Sequence, residues 1–153
     1  MKVRILIALA LSALLPGLVS AENGVKTPPY QRVPLANGAV LLLMERHDVP
    51  LIAFNAVLRG GAMTDPASQL GTSSLLAGML EKGAGSRDAV AFAETVASVG
   101  GTIETGASVE TISVSGSFLA RDQKLMVELL ADMLQRPKLD AAQFDSLPFT
   151  GRP

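Results

Sequence analysis

The chain has 153 residues, with 13 basic and 14 acidic side chains and no cysteine. Its length suits one domain of ordinary size, or one piece of a larger domain. The nearly neutral charge without a basic cluster predicts no nucleic-acid partner. The absence of cysteine excludes disulfides, thiolate catalysis and cysteine-ligated zinc.

The first predicted element is a targeting segment over residues 1–21. Two basic residues precede an apolar run from Ile5 to Val19, and small residues close the segment at Ala21. This pattern predicts a secretory signal peptide, so we expect a periplasmic or secreted protein. The apolar run is shorter than the ~20 residues of a spanning helix, and we therefore expect no stable membrane anchor.

A polar linker and two strands follow. Residues 22–31 carry the pair Pro28-Pro29 and predict an extended linker. Asn37-Gly38 predicts a tight turn, and the β-rich runs Val40–Met44 and Leu51–Arg59 predict strands. Because only a short polar loop separates these two strands, we expect them to form a hairpin.

Two helices are predicted next. The first spans Gln69–Lys82, with Gly83 placed for a left-handed cap at its end. The second begins with Ser86 as its N-cap and ends at Gly100-Gly101.

The remaining elements complete an α+β pattern. Residues 102–118 predict two antiparallel strands, an apolar stripe over Leu125–Leu134 predicts a helix ended by Pro137, and Asp140 is placed to cap a short helix after it. The order ββ-α-α-ββ-α predicts an antiparallel sheet with helices packed on one face. We expect one partial domain over residues 32–147 and a tail over residues 148–153.

Common catalytic constellations are missing from the sequence. The single histidine, His47, lies in a polar loop, which favours a solvated side chain, and no serine elbow or phosphate-binding loop is present. Glu104 and Glu110 could form a carboxylate pair, but solvent-facing carboxylates of a strand are the favoured interpretation. Four methionines are expected to fill the core: Met63, Met79, Met126 and Met133.

The order of these segments resembles the N-terminal portion of the pitrilysin/insulinase family of zinc metallopeptidases. The resemblance rests on LANGAVLLLMERHDVPLIAFNAVLRGGAMTDP, on LGTSSLLAGMLEKGAGSRD, and on VASVGGTIETGASVETISVSGSF followed by ARDQKLMVELLADMLQRPKLDAAQF. In active members the helix after the first strands is similar to G-L-A-H-F-L-E-H-M. Its two histidines bind zinc, and the glutamate between them activates water.

Laid onto this chain, the resemblance places the first histidine at Ser74, the glutamate at Ala77 and the second histidine at Gly78. The family's third ligand would fall at or beyond Pro153. The resemblance therefore implies no catalytic residue, no zinc site and no cofactor here. Gly78 weakens a helix by about 1 kcal/mol relative to alanine, which indicates either close packing against the β ribbon or drift after loss of a ligand.

Two functional interpretations remain open. In the first, the chain is a non-catalytic subunit that assists an active zinc peptidase of the same family and binds peptide at a sheet edge, with Ile103–Ala107 as the candidate strand. In the second, it is a truncated piece of a longer peptidase-family chain without independent function. An active zinc peptidase is the disfavoured third.

Overall fold

The computed structural model describes residues 28–145 and residue 147, in two compact units divided between Arg46 and His47. The predicted signal peptide and tail lie outside these residues. In the part of the chain described, no helix has both the length and the apolar character to cross a bilayer.

Within residues 28–46, the first unit forms a two-stranded hairpin. Strand β1 (Gln31–Pro34) pairs antiparallel with β2 (Val40–Leu43). Gly38 has a positive φ of 84°, and the side chain of Asn37 accepts a hydrogen bond from the backbone N–H of Ala39 at 3.1 Å. The predicted Asn-Gly turn is confirmed, and it joins β2 to a strand that begins inside the expected linker.

The described residues of the second unit form a three-stranded sheet, a short two-stranded hairpin and four helices. In chain order its elements are β3 (Leu51–Arg59), a 3-10 turn (Ala62–Thr64), α1 (Thr72–Leu80), β4 (Gly83–Ala84), β5 (Arg87–Asp88), α2 (Ala89–Ser98), β6 (Thr102–Ala107), β7 (Thr111–Leu119), a second 3-10 turn (Ala120–Asp122), α3 (Gln123–Gln135) and α4 (Ala141–Phe144).

The larger sheet has the strand order β3-β7-β6, and both pairings are antiparallel. Strand β3 pairs with β7, placing Leu51 opposite Leu119. The hairpin expected between residues 40–44 and 51–59 is therefore wrong, because apolar alternation identifies a strand but not its partner. The ribbon predicted over residues 102–118 is confirmed as β6 and β7.

Helices cover one face of this sheet, as the α+β prediction requires. The alternate residues Ile112, Val114 and Phe118 of β7 are buried on that face. Helical side chains complete the core: Ala77, Leu80, Phe92, Met126, Leu129 and Met133. Met79 is also buried, whereas Met63 is 67% exposed in the first 3-10 turn, so its predicted role as a core filler is wrong.

The ends of the helices confirm some sequence signals and correct one. The carboxylate of Asp88 accepts a hydrogen bond from the N–H of Ala91 at 2.8 Å, so Asp88 and not Ser86 caps α2. Gly100 follows α2 with a φ of 63°, the left-handed conformation that glycine adopts without strain. Asp140 caps α4 as predicted.

A buried carboxylate joins α3 to the β4-β5 hairpin. Asp132 is 3% exposed; Arg87 donates to it at 3.3 Å and Arg136 also donates to it. Gly85 lies so close that a Cβ there would overlap the carboxylate. The ion pairs compensate the cost of burying Asp132 and fix the end of α3.

Candidate functional site on helix α1

The N-terminus of α1 is held by Asp65. One carboxylate oxygen accepts from the N–H of Gly71 at 2.7 Å, and the other accepts from the N–H of Ser73 at 2.9 Å. These donors have no partner within the helix, so the carboxylate satisfies them and also complements the positive end of the helix dipole. Asp65 therefore orients α1.

The three positions singled out on α1 differ in their surroundings. Ser74 is exposed, Ala77 is 2% exposed, and Gly78 is half-buried. Only Ser74 thus carries a polar side chain, and only Ser74 is open to solvent.

Gly78 packs against Leu147. A Cβ built at Gly78 would lie 3.2 Å from the Cδ2 atom and 3.3 Å from the Cδ1 atom of Leu147, which is slightly closer than ordinary van der Waals contact. Close packing therefore accounts for a small residue here. The neighbour is Leu147 and not the β ribbon that the sequence suggested.

Ala77 lies between the core and β6. Its side chain belongs to the buried apolar cluster, and its carbonyl oxygen accepts a hydrogen bond from the hydroxyl of Thr105 at 2.7 Å. This bond attaches α1 directly to the middle of β6.

One turn further along, Glu81 makes a second attachment to the same strand. Its Oε1 atom accepts from the N–H of Thr105 at 2.6 Å and lies 2.7 Å from the Thr105 hydroxyl. The hydroxyl has one hydrogen, so it donates either to Glu81 or to the Ala77 carbonyl at any moment. Sequence reasoning missed this pair because 24 residues separate its members and no local pattern links them.

Strand β6 is an edge of the three-stranded sheet. In the turn that follows it, the N–H of Ser108 bonds to the carbonyl of Thr111 at 2.8 Å. Since bonded and non-bonded pairs alternate in an antiparallel ladder, the peptide groups of Ile103, Thr105 and Ala107 point away from β7. The predicted edge strand is confirmed as an edge, and Glu81 occupies its central outward N–H.

A groove of about 320 Å³ runs between α2 and this edge. Its apolar lining comes mainly from Phe92, Val96 and Ile103, and its two carboxylates belong to Glu81 and Glu104. The groove therefore offers apolar surface directly beside the outward peptide groups of β6.

Other candidate residues from the sequence do not gather at α1. Glu104 lies within β6, Glu110 lies in the turn before β7, and both are exposed, which fits the solvent-facing interpretation. His47 lies in the segment before β3 and is also exposed. Within residues 28–145 and 147, no three His, Cys, Asp or Glu side chains are grouped closely enough to hold a metal ion.

Comparison with known proteins identifies a family match for this chain. A family model described as insulinase (peptidase family M16) matches residues 45–147. No curated protein sequence matches the chain.

Two solved structures share the fold. The peptidase M16 inactive domain from Pseudomonas fluorescens is 22% identical with a TM-score of 0.69, over 74% of this chain and 28% of that one. A protease from Helicobacter pylori is 17% identical with a TM-score of 0.70, over 78% of this chain and 29% of that one. The chain thus spans little more than a quarter of either protein. Because the family model matches most of its length, the chain belongs to the insulinase (peptidase M16) family.

Proposed function

We propose that this chain is an exported, non-catalytic member of the insulinase family that binds peptide along β6 and assists a separate, active zinc peptidase of the same family. The observation that carries the proposal is the residue content of α1, because Ser74, Ala77 and Gly78 are the residues that the family resemblance places at the zinc-binding histidines and the catalytic glutamate.

The residues present do not fit a catalytic zinc ion. Such a site needs about three protein ligands and one open position. Ala77 and Gly78 have no ligand atom, and both positions are involved in packing, Ala77 in the core and Gly78 against Leu147. A single exposed hydroxyl at Ser74 is a poor ligand, so these three residues do not form a zinc site.

The edge of β6 supports peptide binding. Its outward peptide groups can pair with an extended segment, and the neighbouring groove can receive a side chain of that segment. Backbone pairing gives affinity with little demand on sequence, which suits a subunit that presents varied peptides to a catalytic partner.

A zinc assay and a peptidase assay test the non-catalytic part. We expect the purified chain to bind zinc substoichiometrically and to leave peptides intact with or without a chelator. Stoichiometric zinc together with chelator-sensitive cleavage would establish an active peptidase and overturn the proposal.

Peptide binding is tested with labelled extended peptides and with copies of them methylated at alternate backbone nitrogens. Methylation of the peptide nitrogens that face β6 should abolish binding. Methylation of the nitrogens that face away from β6 should leave binding intact. Equal binding by both would exclude strand addition.

The partner is tested by affinity purification from the periplasm. We expect an intact insulinase-family peptidase to co-purify and to lose part of its activity when this chain is removed. Repeated isolation of the chain by itself, with the peptidase fully active without it, would exclude the subunit role.

The second candidate is that the chain is a piece of a longer peptidase-family protein. The observation that favours it is coverage, since the chain spans 28% and 29% of the two structures that it resembles. Sequencing the DNA beyond the Pro153 codon distinguishes the candidates. A continuous or shifted reading frame that encodes further family-like helices and strands would support the hypothesis of a longer protein. A stop codon followed by unrelated sequence would support the hypothesis of a non-catalytic subunit.

A further inference from the structure

The outward side of β6 is not uniform along its length. The N–H of Thr105 already donates to the Glu81 carboxylate at 2.6 Å. The peptide group of Ile103, two residues earlier, points in the same direction and borders the groove. A strand added to this edge thus meets an open peptide group at Ile103 and, two residues later, a peptide group at Thr105 whose N–H is occupied by Glu81.

The groove lies where a side chain of the added strand would point. Directly opposite residues of an antiparallel pair extend their side chains to the same face of a sheet. The side chain of Ile103 packs against the core on the helix-covered face. The peptide residue opposite Ile103 would therefore extend over Phe92 and Val96, and the groove is large enough for a leucine or phenylalanine side chain.

A peptide residue opposite Thr105 would meet Glu81 instead. It would have to displace the carboxylate both from the backbone N–H and from the hydroxyl of Thr105. The hydrogen bond from the Thr105 N–H to a charged acceptor is stronger than an ordinary backbone hydrogen bond, so exchanging one for the other is unfavourable.

We propose that Glu81 sets the register of peptide binding on β6: it closes the Thr105 position, so that an extended peptide pairs at Ile103 and places a bulky apolar side chain in the groove beside Phe92 and Val96. This inference rests on the proposed peptide-binding function and names the peptide class that the site selects. Glu81 is thus a specificity-determining residue that acts by occupying part of the edge.

The test measures the affinity of a labelled extended peptide that carries one central leucine, against the same peptide with alanine in its place. The wild-type chain should prefer the leucine peptide. Glu81→Ala frees the Thr105 N–H for pairing, so both peptides should bind about fivefold more tightly, the gain from one additional backbone hydrogen bond.

Two matched variants separate this effect from charge. Glu81→Gln keeps an oxygen that accepts from Thr105, and its affinities should stay within about twofold of wild type, well below the gain expected from a new hydrogen bond. Glu94→Ala removes an exposed carboxylate from α2 that neither lines the groove nor contacts the Thr105 N–H, and it should also stay near wild type.

A second readout is amide hydrogen exchange at Thr105. Exchange should accelerate in Glu81→Ala and not in Glu81→Gln, and circular dichroism should show that both variants remain folded. Unchanged exchange in a folded Glu81→Ala variant would overturn the occupied-edge geometry.

The outcomes distinguish the two proposals. If wild type binds but Glu81→Ala gains no affinity, or gains no more than Glu94→Ala, the register inference is wrong and the peptide-binding function stands. If no variant binds either peptide, both are wrong.

Discussion

The family resemblance places Ala77 at the water-activating glutamate of active members, and we expect an Ala77→Glu substitution to destabilise the fold. Ala77 is 2% exposed and belongs to the core cluster. A carboxylate at this position would be buried without a cationic partner, at an effective cost of several kcal/mol. Glu81, one turn away on the same helix, adds about 0.3 kcal/mol of like-charge repulsion.

The expected loss of roughly 3 kcal/mol is a large part of the 5–15 kcal/mol that stabilises a typical domain. With a urea m-value of about 1–3 kcal/mol/M, the midpoint of unfolding should fall by roughly 1–3 M. Circular dichroism is the suitable probe, because the chain has no tryptophan and one tyrosine.

The pH dependence of the variant's stability checks whether burial of the carboxylate causes the loss. Burial should raise the pKa of the new carboxyl group above the ordinary value of about 4.3. The native variant then binds a proton more tightly than the unfolded chain does. The loss of stability in the Ala77→Glu variant should therefore be complete at pH values above the pKa of the introduced carboxyl group in the folded state. It should shrink as the pH falls toward about 4.

Ser74→His is the matched control, since Ser74 is exposed on the same helix and should tolerate the change within about 0.5 kcal/mol. An Ala77→Glu variant as stable as wild type at neutral pH would refute the view that core packing at Ala77 excludes a carboxylate.

Three further substitutions test contacts that orient the site, each by urea unfolding. Asp132→Ala should cost about 2–3 kcal/mol, because it removes the buried acceptor shared by two arginines. Asp65→Ala should cost about 1–2 kcal/mol, because two N–H groups at the start of α1 lose their cap. Gly78→Ala should stabilise more in a Leu147→Ala background than in wild type, because the helix gain of about 1 kcal/mol is opposed in wild type by the close Leu147 side chain.

Controls for these variants come from the same chain. Glu128→Ala removes the exposed partner of Arg87 and should cost less than about 1 kcal/mol. Asp122 stands at the N-cap of α3 without a side-chain cap bond, so Asp122→Ala should cost less than Asp65→Ala. Equal losses for buried and exposed carboxylates, or equal gains for Gly78→Ala in both backgrounds, would contradict these assignments.

Local signals in the sequence predicted local structure well. The turn at Asn37-Gly38, the glycine stop at Gly100 and the cap at Asp140 were recognisable because each depends on residues next to it in the chain. Ser86 was the wrong cap because Asp88, two residues later, offers an equally good acceptor in the correct geometry.

Long-range partners could not be predicted from the same signals. Nothing local shows that β3 pairs with β7, that Glu81 accepts from Thr105, or that Leu147 packs on Gly78. The placement of Ser74, Ala77 and Gly78 at the family's zinc-binding and water-activating positions used only residue types at fixed spacing, and it stays a prediction. Residue spacing could not show that Ala77 lies in the core or that Gly78 packs on Leu147.

The pairing of β3 with β7 has a consequence for how the chain folds. Partners such as Leu51 and Leu119 are separated by roughly 50–70 residues, so the ladder forms only after a long loop closes. Until β7 has been synthesised, α1 lacks the sheet that buries its apolar face, and β3 exposes both of its edges. Folding should therefore be slow for a domain of this size, and aggregation should compete with it most strongly before β7 joins the sheet.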